Sequence, residues 1–471
     1  MRDLRESLNF DEIHKLSINH VFLKIQSSLN NLPQWVPISL IVINCILYEW
    51  VGVFELAALQ PVVMLCKTLI PLFLLLIVFP GSFHFPPLKR FIYFFAIFMV
   101  WGAVSTIFSS FIMEGIFQWA KYFFRFLFCI AVCLYFIKRP ISHQTIIMKV
   151  LVIIAVAIVI QYLILEATDF MGWISSIEIK IHRGGFFYGP FGILGNGTAQ
   201  FSKFYVVPKF RLTGFWLEPS HSSAFLFMAS FLAEALYITT QQKRWLVASV
   251  VCGVGGIMAF ANGGYFALGF ALLTGQIVDF IRGNKNRVLR VVLSRAMIYY
   301  FLMATSIFLI LFSICGRYIV LKYVPSSEML KAITGVRGEL LIPTEKPLTI
   351  DDTMIQRVEL SMKFFDRSFY KMVIGGGFRI PGRDSKGRGV DVSASAPIFW
   401  LSFTGIVGLI ILLLRESQVF WGFGSYFPPS TYQLRIFQAW IVLFFQNMAY
   451  GQWMTPLYFL LIALVFSSSK E

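Results

Sequence analysis

The stretch IMKVLVIIAVAIVIQYLILE, residues 147–166, decides the architecture. Between residues 150 and 165 it holds no charged side chain. Twenty residues of helix rise about 30 Å, the thickness of a bilayer's hydrocarbon core. Comparable apolar runs occur at 37–59, 62–80, 91–112, 118–137, 220–239, 245–260, 264–281, 297–315, 396–414, 434–450 and 453–468. The whole chain is 57% hydrophobic and only 14% charged, too little polar surface to cover a soluble particle of 471 residues. The sequence therefore predicts an all-α polytopic membrane protein with about twelve transmembrane helices. The Asn262-Gly263-Gly264 break shortens one member of the pair at 245–281 and leaves a re-entrant reading open there.

The runs divide the chain into an amphipathic N-terminal segment (1–36), five helices (37–166), a first polar loop (167–217), four helices (218–315), a large polar loop (316–395), and three helices with a short tail (396–471). The formal charge of +16 does not mark a nucleic-acid binder. Its basic residues gather in the short segments 87–90, 138–149, 241–244 and 282–295, the pattern of loops retained in the cytoplasm. That assignment puts both termini in the cytoplasm and both long loops together on the outer face. Cys45, Cys66, Cys129, Cys133 and Cys252 lie within apolar runs and Cys315 at the end of one. Their spacing fits neither a zinc site nor a disulfide framework, so free thiols are expected.

The first loop carries Trp173, Phe186, Phe187, Tyr188 and further aromatics threaded with glycine, which suggests short strands and turns. In the second, Asp351, Asp352 and Thr353 can cap a helix whose apolar stripe runs through Ile355, Val358, Met362, Phe365 and Phe369 to Gly375-Gly376-Gly377. Charged residues inside spans are informative, since each costs about 2.5–3.5 kcal/mol at mid-membrane. Glu55 and Lys67 flank a turn at similar depth and are placed to pair. Lys121 and Arg125, four apart on the fourth span, suggest a basic pocket near its outer end for a lipid-linked phosphate. Snorkelling, or pairing with Glu49, Glu55 or Glu114, is the alternative.

The strongest local signal is Arg211-Leu-Thr-Gly214-Phe-Trp-Leu-Glu218-Pro-Ser-His221, which joins the first loop to the sixth span. Glu218 before Pro219 falls at a helix N-terminus, where a carboxylate is either a cap or a catalytic or sugar-binding group. Arg211 suits a phosphate, and His221 suits a hydrogen-bonding role better than a metal site. A second, distributed signal joins Arg357 to Gly375-Gly376-Gly377-Phe378 and to a span carrying Gly405 and Gly408; Arg337 shares that loop.

Taken with the layout of spans and loops, the motifs Arg211-x-x-Gly214-Phe-x-x-Glu218-Pro-Ser and Arg357…Gly375-x-Gly377-Phe resemble those of the O-antigen polymerase (Wzy-type) and ligase superfamily of bacterial envelope glycosyltransferases. The resemblance implies a GT-C-like membrane fold and a bacterial inner-membrane location. It also implies transfer of a glycan from undecaprenyl pyrophosphate at the periplasmic face, without metal or other cofactor. Arg211 and Arg357 would then hold the pyrophosphate. Glu218 is the candidate general base, or else orients the acceptor, and Gly214, His221, Lys121, Arg125, Arg337, Gly375 and Gly377 are the candidate substrate-binding residues. The implied partners are an undecaprenyl-pyrophosphate-linked oligosaccharide, the lipid bilayer and a chain-length regulator.

Two departures matter. Ligases of this superfamily carry a His late in the second loop, where this chain has Ser393-Ala394-Ser395-Ala396, which favours polymerase over ligase. Ala261-Asn262-Gly263-Gly264 stands where many relatives have a Ser-Arg pair. A transporter of the same lipids would show polar or broken helices at mid-membrane, whereas here the polar residues gather in the loops. A non-enzymatic scaffold would tolerate changes at Arg211 and Arg357. General-base assistance is worth about 10²–10⁴-fold, so Glu218→Gln is expected to lower turnover by that order while leaving expression intact. Near-normal polymer from that variant removes Glu218 from the site.

Overall fold

A computed structural model describes residues 32–49, 60–78, 85–109, 112–168, 212, 219–259, 261–283, 369–378, 382–383, 389–390, 396–424, 429–450 and 454–468. In chain order they form α1 (Trp35–Glu49), α2 (Gln60–Val78), α3 (Pro86–Ile107), α4 (Ile112–Lys138), α5 (Ile141–Thr168), α6 (Pro219–Thr240), α7 (Lys243–Met258), α8 (Asn262–Gly283) and α9 (Phe369–Ile374). A two-residue antiparallel ladder follows, β1 (Gly382–Arg383) with β2 (Gly389–Val390), then α10 (Ala396–Gly424), α11 (Thr431–Tyr450) and α12 (Pro456–Ser468). Seven helices among the described residues are long and apolar enough to cross a membrane, and the chain is a polytopic membrane protein. The N-terminal amphipathic segment, the first loop and the span expected at 297–315 lie outside the described residues.

The helices pack in two groups. In one, α6 lies against α5, α7, α8 and α11; in the other, α12 lies against α1, α4, α10 and α11, so α11 joins them. The stretch expected to be ambiguous forms two helices, α7 and α8. The close packing of α7 on α6 and α5 depends on small residues: a Cβ on Gly256 would lie 2.5 Å from the Phe227 ring, and one on Gly255 would lie 2.4 Å from Val159. The opposite face of α7 (Val247, Val250, Val254, Ile257) is exposed and apolar at helical spacing, as a lipid-facing surface must be. Among the described residues, Cys66, Cys129, Cys133 and Cys252 are free thiols, as expected.

Two helices differ from their apolar runs in ways that shape the interior. α12 is only 13 residues, and every one is buried. α10 extends ten residues beyond the expected end at 414, because Arg415 and Glu416 are buried together and do not terminate it. It is also broken at Gly405, whose φ of 65° and ψ of −173° are not helical. Three carbonyls just before the break are taken by partners outside the helix. The Gly376 amide donates to Ser402 O at 2.9 Å, and Phe403 O accepts from the Gly377 amide (2.9 Å) and the Ser105 hydroxyl (2.6 Å). The Trp101 indole donates to Thr404 O at 2.8 Å.

This clasp requires glycine on both sides. A Cβ on Gly405 would lie 2.1 Å from Val373 O, and one on Gly375, at φ +91°, would lie 2.4 Å from Phe403 O. Gly405→Ala is therefore expected to destabilise the protein by more than about 2 kcal/mol, from strain and the lost approach. Gly269→Ala, on a helical glycine with nothing within 4 Å, is expected to add about 0.5–1 kcal/mol. Thermal melts of the two variants in detergent check the contrast; equal shifts would remove the clasp from this account.

Candidate functional site

The shortness of α12 fixes the depth of the interior site. At one end the Gln433 amide donates to Ser468 O at 2.7 Å, and the Ser467 hydroxyl donates to Phe136 O at 2.9 Å. The last turn of α12 is thus level with the start of α11 and the end of α4. Gln144 and Tyr432 complete the network there, through Gln144 Nε2 to Ser467 Oγ (2.7 Å) and Tyr432 OH to Gln144 Oε1 (3.1 Å). Over its 13 residues α12 rises about 20 Å, about 10 Å less than the thickness of a 30 Å core. Its N-terminus, opened by Pro456 and capped by Thr455 Oγ1 accepting from the Tyr458 amide (3.3 Å), therefore ends inside the bundle. A helix N-terminus carries partial positive charge, and few dipoles offset it in a dry interior.

Arg125 sits at that terminus. Its Nη1 donates to Met454 O at 3.3 Å, and its guanidinium lies 4.7 Å from the Tyr48 ring centre and 4.8 Å from that of Tyr122. Its Nε is buried and has no hydrogen-bond partner. Lys67 Nζ lies 4.4 Å from the centre of the same Tyr48 ring. Of the basic pair expected near the outer end of the fourth span, Arg125 lies at the middle of α4. α4 begins at Ile112, six residues before the apolar run, because Gly115 lets its first turns pack against the Phe378 backbone; a Cβ there would lie 2.6 Å from Phe378 O. Arg125 consequently falls near the middle of the helix and turns inward, while Lys121 is exposed.

The structure links Arg125 to the glycine motif of the second loop. Phe378 is fully buried, 5.1 Å from Tyr122 and 6.1 Å from Trp400 between ring centres, and Tyr122 lies 5.2 Å from Trp400. The amides of Gly376 and Gly377 are committed to the α10 clasp, so Gly375 and Gly377 serve the approach of Phe378 to this aromatic cluster. His221 lies in the first turn of α6, and its neighbour Ser222 donates to Leu212 O at 3.1 Å, tying Leu212 to that helix. Arg211, Gly214, Glu218, Arg337 and Arg357 lie outside the described residues, as does Glu55, the expected partner of Lys67.

Elsewhere in the interior the arginines meet carboxylates. Arg415 Nε donates to Glu416 Oε1 at 2.9 Å and Nη2 donates to the same oxygen; Tyr458 OH donates to Glu416 Oε2 at 2.5 Å. The rings of Phe95 and Phe91 lie 4.6 and 5.6 Å from the Arg415 guanidinium. Arg435 Nε lies 2.6 Å from Glu234 Oε2. Among the described residues, Arg125 meets no carboxylate. The Arg415–Glu416–Tyr458 triad escaped the sequence reading, although the apolar residues resume at Val419–Phe420 and so mark a continuing span.

No family model, curated protein or solved structure matches the chain. The triad is expected to behave as a buried ion pair. Removing one partner by Glu416→Ala should cost about 3–5 kcal/mol, whereas Arg415→Met with Glu416→Gln should recover most of it. Thermal melts of the single and double variants test this; equal destabilisation by both would mean that the pair is not the source of the loss.

Proposed function

We propose that this chain is a bacterial polysaccharide polymerase of the inner membrane, with both termini cytoplasmic. It transfers a glycan from undecaprenyl pyrophosphate to a lipid-linked repeat unit at the periplasmic face, using no metal or other cofactor. One structural observation carries the reading. Arg125, an interior cation with no carboxylate partner among the described residues, stands at the N-terminus of a helix that ends inside the bundle. Two positive features converge there, and they are suited to an anion. Through Tyr122 and Phe378 this point is joined to the loop motif that resembles the polymerase family's.

In the proposed reaction a hydroxyl of the incoming repeat unit attacks the anomeric carbon of the donor glycan, and the bond to the pyrophosphate oxygen breaks. Glu218 takes the hydroxyl proton. Arg211 and Arg357 stabilise the charge that grows on the departing pyrophosphate.

A second reading has a specific observation in its favour. A transporter of the same lipids would have discontinuous helices, and both the break in α10 at Gly405 and the shortness of α12 are discontinuities of that kind. Reconstitution separates the two. Purified protein with undecaprenyl-pyrophosphate-linked repeat units is expected to yield a size ladder that collapses in Arg211→Ala and is reduced about tenfold or more in Arg125→Gln. Movement of the lipid across a vesicle membrane with no ladder would establish transport and overturn the polymerase.

A further inference from the structure

The amide side chains along α11 divide by depth. Near its start, Gln433 donates to Ser468 O and its Oε1 accepts from the Ser430 amide at 2.7 Å. One turn further, Gln438 donates to Ala271 O at 2.7 Å and accepts from Arg435 at 2.7 Å. Both are fully answered by protein. Gln446 and Asn447 are not. They are 1% and 5% exposed, yet neither side-chain polar atom of Gln446, nor Nδ2 of Asn447, has a hydrogen-bond partner. A buried polar atom left unanswered costs about 1–3 kcal/mol, and such atoms usually mark a missing partner.

Register shows where those atoms sit. Gln433 is level with Ser468, so Gln446 and Asn447, about 20 Å along α11, are level with Met454 and with the Arg125 guanidinium it receives. The Glu234–Arg435 pair sets α6 against α11. Eleven residues from each, about 16 Å, Ser223 on α6 comes level with Gln446. The unanswered amides thus share a layer with the interior cation and with the opening turns of α6.

We infer that Gln446 and Asn447 form a subsite for the hydroxyl groups of the sugar carried on the lipid diphosphate, in the layer where Arg125 meets the phosphate charge. Neutral amides present a donor and an acceptor in fixed geometry, which matches a hydroxyl. They carry no charge to neutralise a diphosphate, so the division of labour follows from the chemistry. This subsite rests on the lipid-linked glycan reading above.

The test uses the full chain in lipid nanodiscs, with Gln446→Met and Asn447→Leu as apolar replacements of similar volume. Without ligand, both variants are expected to melt no lower than the wild type, since an unanswered buried amide has been removed. Binding is then measured for two probes, undecaprenyl diphosphate and the lipid-linked oligosaccharide pool extracted from the native membranes. Each variant is expected to lose about tenfold or more in affinity for the sugar-bearing lipid and to keep its affinity for the bare diphosphate within about twofold. Arg125→Gln should weaken both. Lower melting temperatures in both variants would show that the amides are answered within the fold, for instance by held water, and would overturn the subsite. Unchanged affinity for the sugar-bearing lipid, or equal losses for both probes, would overturn it too. If the wild type binds neither lipid, the lipid-linked glycan reading falls first and takes the subsite with it.

Discussion

In the hydrocarbon core of a membrane a carbonyl, amide or charge that loses its partner has no water to turn to. That constraint organises this bundle. Wherever a helix departs from its regular ladder, side chains and backbone from other elements meet the freed groups. The Phe403 carbonyl illustrates the economy, since it accepts from both the Gly377 amide and the Ser105 hydroxyl. The Gly405 break persists because α3 and the end of the second loop answer it. The same bonds fix the end of that loop to the bundle and bury Phe378 against Tyr122.

The second organising fact is that α12 does not reach across. Its far end is sewn to α4, α5 and α11 by the Gln144, Ser467 and Gln433 hydrogen bonds, so its other end must lie inside the protein. Everything distinctive about the candidate site follows from that depth. Met454 presents its carbonyl to Arg125 there, Tyr48 and Tyr122 flank the guanidinium, and the last polar residues of α11 come level with it. A full-length twelfth helix would have carried its dipole to the surface, where water weakens it.

Much of this was legible in the sequence, and the illegible part has physical causes. Hydropathy located the helices because lipid imposes a composition on any segment that crosses it, and Pro219 marked the start of α6 because proline suits a first turn. The glycines of the 375–377 motif and Gly405 stood out as places of close backbone approach; that they approach each other depends on a loop returning to a span, which no local pattern encodes. Arg415 and Glu416 read as the end of an apolar run, since hydropathy counts charges singly. In the fold the two nearly cancel, and Tyr458, from a distant part of the chain, takes the remaining carboxylate oxygen. Arg125 was visible, but its place at mid-helix was not, because α4 starts at Ile112, where Gly115 packs against the Phe378 backbone.

The contrast among the interior arginines carries the argument about function furthest. Arg415 and Arg435 each have a carboxylate within reach, so the bundle is able to place an acid beside a buried guanidinium. At Arg125 the described neighbours are two phenol rings and a carbonyl, which orient a guanidinium without neutralising it. A protein selected only for stability in lipid gains nothing from setting a guanidinium with no carboxylate among the described residues beside the positive end of a helix. A protein that must attract an anionic lipid head, and release it after reaction or passage, needs a site whose charge is balanced only while the ligand is present.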